Sequence, residues 1–209
     1  MAHGRCKSLL ASDTLASMTL ILASASPRRS ELLRNAGIAF TVDPAHAPEA
    51  SKPDEKPLEY AQRLAREKAR AVAARHPESA VMGADTVVVI DEHLLEKPAD
   101  DADAVRMLRL LSGRTHQVIT GVCLVAPGFE RTEAEITQVK FANLSDEELA
   151  DYIRTSEPMD KAGAYAIQGV ASRWVERIEG CYFNVVGLPV PRVYRMLGAL
   201  RAQSGMALG

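Results

Sequence analysis

The sequence predicts an α/β protein in which helices flank a mixed β-sheet, and two observations carry that prediction. In the first half of the chain, short apolar runs of strand character alternate with stretches whose apolar residues recur at helical spacing. In the second half, longer strand-like segments follow one another through turn signals and indicate hairpins. Alternation favours parallel pairing and hairpins favour antiparallel pairing, so the two halves together indicate a mixed sheet.

The first unit is a strand, a loop of small residues and a helix. Residues 19–24 (TLILAS) form an apolar run typical of a buried strand. Ser26 and Pro27 then start a helix, because a serine cap and a proline at the first helical position both suit the unpaired N–H groups there. Gly37 ends this helix.

Similar patterns predict the remaining elements. The middle of the chain is expected to hold a helix from Pro57 to about His76, a strand at 80–90, a hairpin through 91–93 into 94–95, and a helix between Asp100 and Gly113. The last part is expected to hold strands at 115–126 and 132–143, a helix opened by the Ser145–Glu148 capping box, a loop at 161–169, a strand pair at 173–180 and 181–186, and a helix beginning at Pro189.

Composition narrows the class of protein. The chain has 209 residues, of which 47% are hydrophobic and 25% charged, which suits one domain at 18–209 after a flexible extension at 1–17. A formal charge of −2 provides no basic field for a nucleic-acid polymer. No segment approaches the roughly 20 apolar residues of a membrane span. Cys6, Cys123 and Cys181 have neither disulfide nor metal spacing, which favours a reducing cytoplasm.

The loop after the first strand is a candidate phosphate site. Ser24 and Ser26 supply two hydroxyls, and Arg28 and Arg29 supply two guanidiniums, all in one turn at a helix N-terminus. Free N–H groups and a partial positive charge make such a terminus attractive to anions. The alternative is an ordinary capped helix whose arginines are solvated.

Four further charged residues stand out to different degrees. Lys68 lies on or beside the apolar stripe of its helix, where it either extends to solvent or points at buried negative charge. Asp85 interrupts an apolar strand, and a carboxylate there must be paired, hydrogen-bonded or bound to metal, in a catalytic or a structural role. Glu49 and Lys97 occupy proline-punctuated loops and would be solvated if each were considered alone.

These residues together indicate hydrolysis at a phosphorus centre. The sequence has no recognisable nucleophile–histidine pair, and its five histidines show no zinc-ligand spacing. Carboxylates and phosphate oxygens suit Mg²⁺ or Mn²⁺. Metal-assisted hydrolysis is therefore the expected class of reaction.

From about residue 19 to 200 the chain resembles the Maf family of nucleotide pyrophosphatases. The matching segments are, in order, LASASPRRSELL, LAREKAR, GADTVV, LEKP, LSGRTHQV, YIRTSEPMDKAGAYAIQG and VVGLP. The resemblance implies an elongated mixed sheet with two lobes around a cleft, and often a homodimer. It also implies an enzyme that splits the α–β phosphate bond of a nucleotide with a divalent cation.

The resemblance also implies roles for individual residues. Asp85, Lys68 and Lys97 would be catalytic, and Glu49 and Asp85 would hold the metal. The implied substrate-binding residues are Ser24, Ser26, Arg28, Arg29, Thr86, Asp160, Lys161 and Gln168. Family members often have two acids where this chain has Pro48 and Glu49.

Residues at three of these positions resemble the family branch that acts on dTTP and UTP. They are Arg28, Thr86 and Gln168, and the glutamine amide can both donate to and accept from a pyrimidine edge. The alternatives are the branch that acts on 7-methyl-GTP, a broad house-cleaning activity, and a nucleotide-binding regulator of division without catalysis.

Overall fold

The structure, a computed structural model, describes residues 19–45, 50 and 52–203. The expected extension at 1–17 and the candidate metal ligand Glu49 lie outside the described residues. The strands are β1 (Leu20–Leu22), β2 (Thr41–Val42), β3 (Ala80–Ile90), β4 (His93–Leu95), β5 (Thr115–Ala126), β6 (Phe129–Phe141) and β7 (Val175–Glu179). The α-helices are α1 (Pro27–Asn35), α2 (Pro57–Ala73), α3 (Asp101–Leu111), α4 (Asp146–Ile153), α5 (Tyr182–Val186) and α6 (Val190–Gln203).

The strands form one mixed sheet, as the sequence predicts. Within the described chain its order is β2-β1-β3-β5-β6-β7, and β4 pairs with β3 beside this path. β1 is parallel to both β2 and β3, whereas β3, β5, β6 and β7 pair in antiparallel fashion. The sheet therefore changes from parallel to antiparallel pairing at β3, the strand that carries Asp85.

Alternation along β3 gives its two faces different partners. Met82 and Val88 belong to the main hydrophobic core, which also contains α3 and α6 residues. Val87 and Val89 pack instead in a smaller cluster with Leu64 of α2. Successive side chains of a strand point to opposite faces. Asp85 therefore projects toward α2, and Thr86 projects toward the face of the main core.

Helix α2 lies directly on the strands because two glycines leave room for its backbone. A Cβ atom added to Gly83 of β3 would stand 2.1 Å from the carbonyl oxygen of Ala65. One added to Gly121 of β5 would stand 2.3 Å from the carbonyl oxygen of Ala61. This close approach brings the buried face of α2 onto the middle of the sheet.

Most predicted elements are confirmed, and one prediction is wrong. Residues 181–186 were expected to be a strand, but residues 182–186 form the short helix α5. A brief apolar run does not distinguish strand from buried helix. The two-residue strand β2 has no counterpart in the predictions, and β6 begins at Phe129, before the expected start at 132. None of the described helices is long and apolar enough to cross a membrane.

Candidate active site

A cleft of about 380 Å³ opens beside the point where the sheet changes direction. Its lining comes from the β1–α1 loop and the first turn of α1, from α2, β3 and β5, from the segment after β4, and from residues within 160–168 and 185–187. Every predicted site residue that the structure describes lies on this lining: Ser24, Ser26, Arg28, Arg29, Lys68, Asp85, Thr86, Lys97, Asp160, Lys161 and Gln168.

The β1–α1 loop is held by its own hydroxyl groups. Ser26 caps α1, and its Oγ accepts a hydrogen bond from the backbone N–H of Arg29 at 3.5 Å. The Oγ of Ser24 accepts from the N–H of Ser26 at 3.2 Å and from Nη1 of Arg29 at 3.0 Å. The first turn of α1 contains no acidic residue. No carboxylate of that turn therefore offsets the partial positive charge at the helix N-terminus.

The two arginines in the first turn of α1 have different surroundings. The Arg29 guanidinium donates to the carbonyl oxygens of Ala84 and Gly187, each at 2.9 Å, and to Oγ1 of Thr86 at 3.1 Å. It thereby joins α1, β3 and the turn after α5. Arg29 therefore stabilises the arrangement of these three segments. Its contact with a phosphate stays a prediction.

Arg28 instead faces an acidic residue from another part of the chain. Its Nη1 lies 3.6 Å from Oδ2 of Asp160, whose carboxylate also pairs with the ammonium of Lys161. Partial desolvation of the largely exposed Asp160 opposes ionisation, but the hydrogen bond and charge of Lys161 and the charge of Arg28 hold its pKa below the usual range. Nζ of Lys161 also donates to the carbonyl oxygen of Glu157 at 2.7 Å.

Lys68 and Asp85 form a buried ion pair at the edge of the cleft. Nζ of Lys68 lies 2.7 Å from Oδ1 of Asp85, and each residue is only 8% exposed. Of the two alternatives for Lys68, extension to solvent is therefore wrong, because α2 crosses β3 so closely that the side chain reaches the carboxylate. A buried pair of this kind keeps the carboxylate charged where an isolated one would be strongly disfavoured.

The segment after β4 brings a carboxylate that the sequence analysis did not select. Glu96 and its neighbour Lys97 are both exposed and line the cleft. The buried Tyr60 of α2 donates its hydroxyl hydrogen to the Glu96 carboxylate. The Glu96 carbonyl oxygen accepts from the N–H of Gly163 at 3.0 Å. The adjacency of Glu96 to Lys97 was the available signal, but nothing local distinguishes it from a solvated acid.

The carboxylates of the cleft do not form a closed metal site in the described part of the chain. No group of three or more His, Cys, Asp or Glu residues there could hold a metal ion. Asp85, Glu96 and Asp160 nevertheless all line the cleft and offer oxygen atoms. Mg²⁺ is commonly held by one or two carboxylates together with substrate phosphates and water, so this set of oxygen donors suits such an ion.

Comparison with known proteins shows the family of the chain. The family model described as Maf-like protein matches residues 19–200, which include every described strand and helix except the last residues of α6. The chain belongs to the Maf family. This membership agrees with the order of motifs along the sequence.

Relatives within the Maf family are similar over most of their length. A dTTP/UTP pyrophosphatase of Koribacter versatilis (strain Ellin345) is 67% identical over 180 residues, which are 86% of this chain and 93% of that protein. A dTTP/UTP pyrophosphatase of Symbiobacterium thermophilum is 53% identical over 178 residues, which are 85% of this chain and 92% of that protein. One of Syntrophomonas wolfei is 51% identical over 178 residues, 84% of this chain and 94% of that protein.

Proposed function

We propose that this chain is a nucleoside triphosphate pyrophosphatase that hydrolyses dTTP and UTP to the monophosphate and pyrophosphate. The observation that carries the proposal is the Lys68–Asp85 ion pair, which lies buried beside a cleft lined by further cations. The names of the Maf-family relatives support the choice of substrate.

Recognition of the triphosphate is assigned to the cationic part of the lining. Arg28, Lys97 and Lys161 come from three separate segments and converge on the cleft, and the N-terminus of α1 adds N–H groups. Hydrogen bonds between cations and phosphate oxygens are among the stronger ones in proteins. Arg28 and Lys161 both contact Asp160 in the structure, so we infer that the phosphates replace part of this pairing when the nucleotide binds.

Asp85 is proposed to orient and deprotonate the water that attacks the α-phosphorus. Lys68 keeps the carboxylate ionised, and an ionised carboxylate is the form that accepts a proton. The low exposure of both residues strengthens their interaction with charge that develops at the phosphoryl group. The cations of the cleft offset the charge of the departing pyrophosphate.

The proposed cofactor is Mg²⁺ or Mn²⁺. Asp85 is the proposed ligand among the described residues, and Glu49 is the proposed second ligand from outside them. When bound, the ion would supply Lewis-acid polarisation of a phosphoryl oxygen.

Selection of a pyrimidine is proposed to depend on Gln168. This residue is exposed on the lining, close in sequence to Tyr165 and Ile167, whose side chains are largely buried beside it. Its amide offers one acceptor and two donors, which match the carbonyl and N–H edge shared by thymine and uracil. Cytosine presents a different order of donors and acceptors on that edge.

We also propose a cytoplasmic location and a homodimeric state. The described cysteines, Cys123 and Cys181, are unpaired, which supports a reducing compartment. The dimer is proposed from the family resemblance, and sedimentation equilibrium of the purified chain would test it.

The proposed function is tested by pyrophosphate release from a panel of nucleotides. Purified protein with Mg²⁺ or Mn²⁺ is assayed against dTTP, UTP, CTP, GTP, 7-methyl-GTP and ITP, with and without a chelator. We expect rapid release from dTTP and UTP that stops when the metal is removed. Release mainly from 7-methyl-GTP or ITP would overturn the choice of base, and tight binding without release would favour a regulator of division.

A further inference from the structure

Two hydroxyl groups continue inward from the cleft and end at helix α5. Thr86 of β3 and Thr120 of β5 are direct partners in the antiparallel pairing, and their Oγ1 atoms lie 2.9 Å apart. Thr120 is completely buried. Its Oγ1 lies 3.3 Å from the carbonyl oxygen of Asn184, to which it can donate. A path of polar contacts therefore connects a lining residue of the cleft to α5.

The hydroxyl protons of Thr86 and Thr120 form hydrogen bonds to other groups of the protein. Nη2 of Arg29 donates to Oγ1 of Thr86, and each threonine hydroxyl has one proton of its own. Thr86 donates either to Thr120 or to the carbonyl oxygen of Gly187, which lies 3.3 Å away. In either arrangement the Thr86 proton satisfies a protein acceptor. The Thr86 hydroxyl therefore already hydrogen-bonds to neighbouring groups of the protein.

Asn184 fixes the other end of the path. It is completely buried, and its Nδ2 donates to the carbonyl oxygen of Val118 at 2.9 Å and to Oγ1 of Thr137 at 3.0 Å. These bonds tie α5 to β5 and β6. Residues 185–187 follow Asn184 immediately and line the cleft, and the Gly187 carbonyl oxygen accepts from Nε of Arg29 at 2.9 Å. The contacts therefore form a closed ring, which runs from Arg29 through Thr86 and Thr120 to Asn184, and along the chain to Gly187 and back to Arg29.

The ring borders an uncharged part of the cleft. Val185 and Val186 are apolar, and such a surface suits a base or sugar better than it suits phosphates. The Lys68–Asp85 pair, in contrast, lies on the α2 face of β3, opposite to the face of Thr86. A change in the ring should therefore disturb nucleotide binding more than the chemistry at Asp85.

We propose that Thr120 and Asn184 are positioning residues for nucleotide binding. They act through Thr86 and Arg29 and hold the wall formed by residues 185–187 in the geometry that receives the nucleoside. The inference rests on the proposed function, because it concerns the affinity of the same cleft for dTTP. Thr86 is one of the three positions that resemble the dTTP and UTP branch. In this proposal Thr86 affects substrate choice through the position of residues 185–187 and not through a direct contact with the base.

Substitution of Thr120 tests this role. Thr120→Val keeps the shape of the side chain but removes the hydroxyl, so Thr86 and the Asn184 carbonyl each lose one of their hydrogen-bond partners. We expect KM for dTTP to rise about tenfold, the equivalent of roughly one buried hydrogen bond, with kcat changed by less than about twofold. Thr120→Ser restores the hydroxyl and should restore KM to within about twofold of the unaltered protein.

Thr132→Val is the matched control. Thr132 lies on the neighbouring strand β6, outside the cleft lining, and its hydroxyl contacts the Cys123 thiol and accepts from Nε of Arg66 of α2 at 3.4 Å. This variant should leave KM unchanged. An unchanged KM in Thr120→Val, a loss confined to kcat, or a Thr120→Ser variant as impaired as Thr120→Val would overturn the proposal.

Calorimetric binding of α,β-methylene-dTTP separates this inference from the proposed function. We expect Thr120→Val to weaken Kd for this analogue by about the same tenfold factor as KM. Absence of hydrolysis by the unaltered protein, with this difference in Kd retained, would overturn the proposed function and support the positioning role. Equal Kd values for the two proteins would overturn the positioning role, whatever the rate of hydrolysis.

Discussion

The carbonyl oxygen of Ala65 occupies the space that a Cβ atom on Gly83 would need, at a separation of 2.1 Å. Lys68 follows Ala65 by about one helical turn, and Asp85 follows Gly83 by two residues on the same face of β3. The contact between helix and strand backbones therefore sets the distance at which Lys68 meets Asp85. The close packing of α2 on Gly83 thus fixes the geometry of the Lys68–Asp85 ion pair, although Gly83 itself takes no part in the chemistry.

Enlarging Gly83 should disturb both stability and activity. In Gly83→Ala the new methyl group must push α2 away, because the atoms it meets belong to the backbone of Ala65 and Ala69. We expect a loss of about 3 kcal/mol in the free energy of unfolding, at the upper end for overpacked sites, and slower pyrophosphate release. Gly198→Ala on α6 is the control, since its Cβ meets nothing within 4 Å. It should gain about 0.5–1 kcal/mol. Urea unfolding measures both changes, and equal stability of the two variants would contradict the argument.

Replacement of Asp85 should abolish turnover and leave the fold intact. Asp85→Asn keeps the size of the side chain and an oxygen that can accept from Lys68, but it removes the charge and the proton acceptor. We expect pyrophosphate release to fall by about 10³-fold or more. The circular dichroism spectrum should be unchanged. Asp101→Asn, an exposed change in the first turn of α3, should retain full activity. Rates like those of the unaltered protein in Asp85→Asn would remove Asp85 from the mechanism.

Arg28 should contribute to binding more than to catalysis. Its pairing with Asp160 is long, at 3.6 Å, so a phosphate can compete for the guanidinium. We expect Arg28→Gln to raise KM for dTTP by about tenfold or more, as for loss of a charged hydrogen bond, and to weaken the salt dependence of KM. Arg154→Gln removes an arginine that pairs with Asp151 on the surface, and it should change neither quantity. An Arg28→Gln variant with unchanged KM would place the phosphates elsewhere.

The buried His116 should make stability depend on pH. Burial lowers its pKa to about 3, and its Nε2 lies 2.8 Å from the hydroxyl oxygen of Tyr165. The unfolded chain takes up a proton near pH 6.5 that the folded chain takes up only near pH 3. Between these values the unfolded state binds more protons, so the stability present above pH 6.5 is lost progressively as the pH falls, by about 1.4 kcal/mol per unit.

Urea unfolding at several pH values isolates this effect. His116→Phe keeps a ring next to Phe141 and Tyr165 but cannot take up a proton. Between about pH 7 and pH 5, we expect the unaltered protein to lose about 2 kcal/mol more stability than this variant. His93→Gln, on the exposed end of β4, should keep the slope of the unaltered protein. Parallel slopes for the unaltered protein and His116→Phe would show that folding does not lower the pKa of His116.

Local patterns predicted the long elements of the fold but not the short ones. Helix α4 was predicted from the Ser145–Glu148 capping box, and both of its hydrogen bonds are present in the structure. Strand β2 is two residues long and is stabilised by pairing with β1, so its own residues contain little information about it. Helix α5 is a mostly apolar five-residue segment that is held in place by tertiary contacts, above all those of its one amide side chain, Asn184.

The candidate site could be predicted in part for the same reason. Asp85 is unusual within its own strand, and the loop of Ser24 has a local signature. The partner of Lys68 could not be read from its helix, because that partner lies 17 positions away on another element. Thr120 is an ordinary strand residue by sequence, and only its position opposite Thr86 reveals its place in the ring.

The strand pairs of the sheet differ in how far apart along the chain their two strands lie. The β5–β6 hairpin joins neighbouring segments, with Ala126 directly opposite Phe129, and so closes a very short loop. β1 must instead find β3 across about 60 residues, with Leu20 opposite Ala80. Long loops close more slowly and at a greater entropic cost. We expect a refolding chain to form the hairpin early and the pairing that positions the β1–α1 loop late, so the proposed nucleotide site is completed near the end of folding.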